Sequence, residues 1–254
     1  RFPKQMLDRQ EYDGHLSIHD DRMAEDLGFS GAPIEGPTHF SQFAPLLHRL
    51  FGDIWFEMGC LSAHYQNMVV DGEEVRVFAE PQGSHSAPIT IGAEKRDGTP
   101  VLTGTASVGP DFGETEIDHR LARLKPSEQL VILADLTVGQ QGAANPEDVV
   151  MDFDQHMGPM YPFSLNQKLA RITERHPYYT SSDNPWGRPI IPLEMVSVLV
   201  QYSSGRAGFR ARGPAIGLFA GQEIRMINGP LFVNHPYQLE REIVALSESR
   251  RTES

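Results

Sequence analysis

The chain has 254 residues, with 34 acidic against 22 basic side chains and a formal net charge of −12. That balance excludes binding built on neutralising nucleic-acid phosphates, which draws on a basic surface. The single cysteine, Cys60, excludes an internal disulfide framework and fits a reducing compartment, and no apolar run approaches the ~20 residues of a membrane-spanning helix. A cytoplasmic protein with no membrane partner is therefore expected.

Taken in chain order, the first strong signal is "GAPIEGPTHFSQFAPLL", a turn feeding an apolar helix. Phe40, Phe43, Ala44, Leu47, Leu50 and Phe51 recur at helical spacing, so a helix is expected from about Pro37 to Phe51. "CLSAHYQNMVVDGEEVRVFAEP" follows as strands around an Asp71-Gly72 turn, with Cys60 as a small buried strand residue. "APITIGAEKRDGTPVLTGTASVG" alternates into a hairpin at Asp97-Gly98. Residues 110 to 149 are polar and rich in Gly, Pro, Asp and Glu, as a connector is.

The second half repeats the pattern weakly. "NPWGRPIIPLEMVSVLVQYS" matches the first turn and helix, with Gly187 against Gly31, Pro189 against Pro33 and Ile190 against Ile34. Its helix is expected from about Pro192 to Ser203, apolar around most of its circumference and so buried on most sides. "AIGLFAGQEIRMINGPLFVNHPYQLEREIVAL" then echoes the strands, without a counterpart to the 87 to 109 hairpin. Each half thus reads as a turn, an apolar helix and antiparallel strands that wrap it. The boundary falls near Leu130, giving units 1–130 and 131–254, the second incomplete at its C-terminus. The start at Arg1 and the stop after "ALSESRRTES" suggest a fragment of a longer protein.

The segments "SIHDDRMAEDLGFSGAPIEG", "VVDGEEVRVFAE", "TPVLTGTASV" and "ERHPYYTSSDNPWGRPIIP" resemble the MaoC-like, R-specific enoyl-CoA hydratases and dehydratases. That resemblance implies an α+β double-hotdog fold, each repeat an antiparallel sheet around a central apolar helix. It also implies a lyase that adds or removes water across the α,β bond of an acyl thioester, with coenzyme A as part of the substrate and no other cofactor. Family members carry an Asp five residues before a His, with Asn-Pro between. Aligning His19 with that His places Gly14 at the Asp position and Leu16-Ser17 at Asn-Pro. In the second half Glu174 takes the Asp position, His176-Pro177 the Asn-Pro and Tyr179 the His position.

The resemblance makes His19 the candidate acid/base, apt because an imidazole changes charge near neutrality. Asp13, displaced by one position, or His15 is the candidate partner that orients it. Gly36, just before the helix, is the candidate backbone donor for the substrate oxyanion, where a helix N-terminus favours negative charge. Glu35, where the family commonly has a His, can supply a carboxylate. Thr38 and His39 line the mouth or pack in the core, Tyr179 lines a second pocket, and Glu194 sits in the first turn of the second helix. Arg206, Arg210 and Arg212 form the most basic exposed stretch, and Arg210 and Arg212 are the candidates for coenzyme A phosphates. His15 and His19 stand four apart beside Asp20 and Asp21, but no third ligand group is marked, so no metal is expected. Two other readings stay open: a thioesterase or isomerase-like enzyme using Glu35 or Glu174 as base, and a non-catalytic acyl-CoA-binding or scaffolding protein. A homo-oligomer is expected because an outer sheet face continues pairing.

Overall fold

The computed structural model describes residues 1–12, 15–26, 28–80, 88–127, 129–213, 215–249 and 252–254, at residues 12, 15 and 16 by their backbone alone. In chain order the elements are β1 (Glu11–Tyr12), β2 (His15–Leu16), α1 (Asp21–Asp26), α2 (Thr38–Phe51), α3 (Ile54–Met58), β3 (Gly59–Tyr65), β4 (Val75–Glu80), β5 (Ile89–Lys95) and β6 (Pro100–Val108). There follow α4 (Glu116–Leu121), β7 (Glu147–Val149), α5 (Leu165–Arg171), α6 (Leu193–Gln201), β8 (Gly221–Arg225), β9 (Tyr237–Leu239), β10 (Glu248–Ser249) and β11 (Thr252–Glu253). Among the described residues no helix is long and apolar enough to cross a membrane.

Helix α2 forms where the apolar spacing places it, because Phe40, Phe43, Ala44 and Leu47 all fall on the face that the sheet covers, each at most 1% exposed. The sheet runs in the order β4-β5-β6-β3-β8 with every neighbouring pair antiparallel. Its central strand β3 is buried at five consecutive residues, Gly59 to Ala63, since helices lie on both of its faces. On the outer side the α4 N-terminus is tied to it by Ile117 N–H donating to Ser62 Oγ at 2.9 Å. Cys60 is 1% exposed on this strand and burial pushes its thiol up to about 12, as a packing residue rather than a nucleophile requires.

The repeat is visible in three dimensions. The turn before α2 makes a bridge from Pro33 to Val70, and the turn before α6 makes one from Ile190 to Phe232. Each turn is then fastened by the next amide: Ile34 N–H donates to Val69 O at 2.8 Å, and Ile191 N–H to Leu231 O at 2.7 Å. Helix α6 packs beside α2, and Glu194 N–H reaches Ser41 Oγ across the seam at 3.4 Å.

The second half departs from the expectation of its own wrapping sheet. Of the strands expected there, β8 joins the first half's sheet by pairing with β3, Leu61 opposite Ile224, while β9 pairs only with the short β7. The cause is local. A regular ladder cannot run through "INGPLFVNHP", where Pro230 and Pro236 lack donors and Gly229 and Asn234 turn the chain at positive φ. One sheet therefore serves both helices.

Candidate active site

A cavity of ≈ 390 Å³ opens beside the N-terminal end of α2. Its wall brings together His19, Glu35, Gly36 and His39 from the first half with Met160, Tyr161, Gln201 and residues 217–219 from the second. Ile18, Ile34, Met68, Val69, Leu218 and Phe219 make much of the lining apolar, while Gln10, Gln66 and Asn67 add neutral amides. The 217–219 segment is carried there by β8, whose approach is fixed where Tyr65 N–H donates to Ala220 O at 3.0 Å.

His19 is 7% exposed and is held by its loop. Its backbone N–H donates to Ser17 Oγ at 3.1 Å, Ser17 Oγ donates to Gln10 Oε1 at 2.9 Å, and Gln10 Nε2 donates to Met160 O at 2.8 Å. The ring is fixed by Nδ1 lying 2.5 Å from Pro33 O. A carbonyl only accepts, so Nδ1 carries the proton and Nε2 of the neutral ring is left as an acceptor. Burial lowers the His19 pKa, only partly offset by the Pro33 bond, so the neutral ring is favoured near pH 7. Asp20 Oδ1 accepts from Met23 N–H and Asp21 Oδ1 from Ala32 N–H, both at 3.0 Å, which starts α1 and pins the next loop.

Glu35 is buried, and its Oε1 accepts the Tyr161 hydroxyl at 3.0 Å. Desolvation raises its pKa to about 7, against the pull of the Lys168 charge and the Tyr161 bond. His39 is buried as well; its Nδ1 lies 2.8 Å from Gln42 Oε1, and burial lowers its pKa to about 4. It is therefore neutral around pH 7.

The helix end differs from the expectation in one respect. No side chain caps α2, yet the Thr38, His39 and Phe40 N–H groups donate to the carbonyls of Glu35, Gly36 and Pro37 at 3.1, 3.0 and 3.0 Å. The Gly36 N–H has no acceptor among the described residues, and Gly36 belongs to the cavity wall. Glycine lets the Tyr65 ring lie against this turn, because an added Cβ would sit 2.8 Å from Tyr65 Cζ. Replacing Gly36 with alanine should displace the Tyr65 ring or the turn and destabilise the fold by about 1–3 kcal/mol. Thermal denaturation of the two proteins checks it.

The remaining sequence candidates lie elsewhere. Asp13 is outside the described residues, as is the side chain of His15. Thr38 faces a space of ≈ 10 Å³ with Lys168, Glu174 and Glu194, not the large cavity. Tyr179 is 1% exposed among Trp55, Phe56 and Ile190, and its hydroxyl has no partner among the described residues. Arg212 is clasped by Asp135 and Arg206 pairs with Glu147 at 3.0 Å, so of the basic stretch only Arg210 is left without an acidic partner among the described residues. Neither Arg210 nor Arg212 lines the cavity. Beside Thr38, Lys168 Nζ lies 2.9 Å from Glu194 Oε2, and Arg1 Nε 3.0 Å from Glu174 Oε1.

Two apolar helices thus lie side by side, each entered by the same bridged turn, with one antiparallel sheet across both halves. The fold is a double hotdog. Solved structures similar to this double hotdog include a conserved hypothetical protein of Mycobacterium tuberculosis, essential for bacterial survival during infection and itself described as a double hotdog. It is 10% identical, with 89% of this chain and 74% of that one covered and a TM-score of 0.48. A MaoC-like dehydratase is 13% identical over 83% of this chain and 75% of its own, with a TM-score of 0.38. The full-length peroxisomal multifunctional enzyme type 2 of Drosophila melanogaster is 12% identical over 85% of this chain and 36% of its own, with a TM-score of 0.37. No protein-family model matches the chain, and no curated protein matches it in sequence.

Sequence reasoning missed Tyr161, Tyr65, Gln10 and Lys168. Tyr161 and Lys168 lie in "MYPFSLNQKLAR", and the only local signal there is Ser164-x-x-Gln167, a capping box that starts α5 and so swings Lys168 inward.

Proposed function

We propose that the protein is a lyase of the hydratase/dehydratase class acting on an α,β-unsaturated or 3-hydroxy acyl thioester, with coenzyme A as the carrier. The observation that carries this reading is the pairing, in one cavity, of a neutral imidazole whose Nε2 is its free nitrogen with a carboxyl that titrates near 7. Hydration needs a base for water, a proton for the α-carbon and a donor for the enolate oxygen formed between. In this mechanism His19 Nε2 takes a proton from water as its oxygen bonds to the β-carbon. The electron pair of the double bond moves onto the thioester oxygen, which the Gly36 N–H receives. The enolate then collapses as the Glu35 carboxylic acid gives its proton to the α-carbon. His19 now holds one proton more and Glu35 one fewer, and exchange with solvent restores both. Dehydration runs the same steps backwards. The apolar wall accommodates the acyl chain, while Gln66 and Asn67 offer amide partners to the carrier arm.

Incubation with a panel of trans-α,β-enoyl-CoA esters tests this. Loss of the enoyl absorbance without release of free thiol supports the lyase. Thiol release with the enoyl group intact would replace it with a thioesterase that uses Glu35 as base.

A further inference from the structure

The Glu35 carboxyl belongs to the first half, but the groups that act on it come largely from the second. Tyr161, 2% exposed, gives it a hydrogen bond across 126 residues of chain. Lys168, 5% exposed on α5, is itself paired with Glu194, 2% exposed on α6.

We propose that Tyr161 is a positioning residue that fixes the Glu35 carboxyl in the cavity, so that a buried hydroxyl of the second half holds a first-half carboxyl in place. This rests on the lyase reading for its meaning in catalysis, though not for its measurement. The titratable and charged groups that face Glu35 are His19, His39 and Tyr65 around the cavity, with Tyr161, Lys168 and Glu194 from the second half. Of these, His39 is neutral around pH 7, and Tyr65 is held well above the ordinary phenol range by burial. Tyr161 and Lys168 both favour the carboxylate, and Glu194 opposes them.

The test is a carboxyl-¹³C NMR titration of Glu35, its signal assigned by disappearance in Glu35→Gln. Tyr161→Phe keeps the ring and removes the hydroxyl, and should move the Glu35 titration upward by about one pH unit, a tenfold loss of acidity. An unmoved titration in a folded Tyr161→Phe protein overturns the proposal. If the titration moves and the basic limb of hydration moves with it, both readings stand. If the titration moves while that limb stays, Tyr161 still positions Glu35 but the carboxyl is not the proton donor of the lyase reaction.

Discussion

Replacing His19 with asparagine should lower hydration of an enoyl thioester by about 10²–10⁴-fold, the usual contribution of a positioned acid/base group. The substitution is chosen because its amide nitrogen stands where Nδ1 stood and can still donate to Pro33 O, the contact that His19 Nδ1 makes at 2.5 Å. The turn before α2 should then keep its shape, and what is lost is the basic nitrogen. Thermal denaturation should change little, whereas a merely packing histidine would show the reverse, with stability reduced and turnover kept. A His19→Asn protein that hydrates at the parent rate would remove the base from the mechanism.

Replacing Glu35 with glutamine should have two effects of opposite value. Turnover should fall by about 10²-fold or more as the α-carbon loses its proton donor. Stability above neutrality should rise. The folded-state pKa of Glu35 is raised from 4.5 to about 7, so the native protein holds a proton that the unfolded chain gives up. Its contribution is present below the unfolded pKa and is lost as pH rises through 7. Glutamine cannot ionise, so the stability of the variant relative to the parent should grow by about 3 kcal/mol between pH 4 and pH 8. His39 runs the other way: its pKa falls from 6.5 to about 4 in the folded protein, so its contribution is present above 6.5 and lost as pH falls through 4. In the parent the two largely offset each other between those limits. In Glu35→Gln the acid sensitivity from His39, which His19 shares in sign because burial lowers its pKa too, is no longer offset by Glu35, and denaturant melts across that range read the difference. Equal pH dependence of the two proteins would mean that Glu35 ionises as an ordinary surface carboxyl.

A buried carboxyl that lowers stability at working pH is the kind of strain found where a group is kept for chemistry. The cavity supports that view because its two histidines are arranged to stay neutral. His39 is kept so by burial, its ring bonded to Gln42, and His19 by burial with its proton directed to Pro33.

Much of the fold was legible in the sequence because it is encoded locally. The apolar spacing from Phe40 to Leu47 specifies α2, and Asp97-Gly98 closes the β5–β6 hairpin, with Gly98 at φ 84°. The repeat was legible through its turns, since Gly31 and Gly187 each precede a bridged Pro-Ile step. What local pattern could not carry was which sheet β8 would join. "GQEIR" alternates like any edge strand, and its partner β3 lies far earlier in the chain, so nothing in the local pattern names that partner. At the site, His19, Glu35 and Gly36 were marked because each has a motif position near α2. Thr38 and Tyr179 shared that marking, but a helix turn and a packed aromatic cluster direct them to other spaces. Tyr161 and Lys168 were illegible for a physical reason: a lysine is ordinarily read as surface, and it takes the tertiary partner Glu194, with the Phe163 ring under its ammonium, to make its burial tolerable.

Hydration should begin with His19 neutral and Glu35 protonated, and every step proposed above depends on that pair of states. The pH dependence of kcat/KM for enoyl-thioester hydration tests it most directly, because that ratio reports the free enzyme's acid and base. The expected profile is a bell whose acid limb lies below 6.5 and whose basic limb lies near 7, the ionisation of Glu35. A rate that keeps rising through neutrality, with no basic limb, would contradict it.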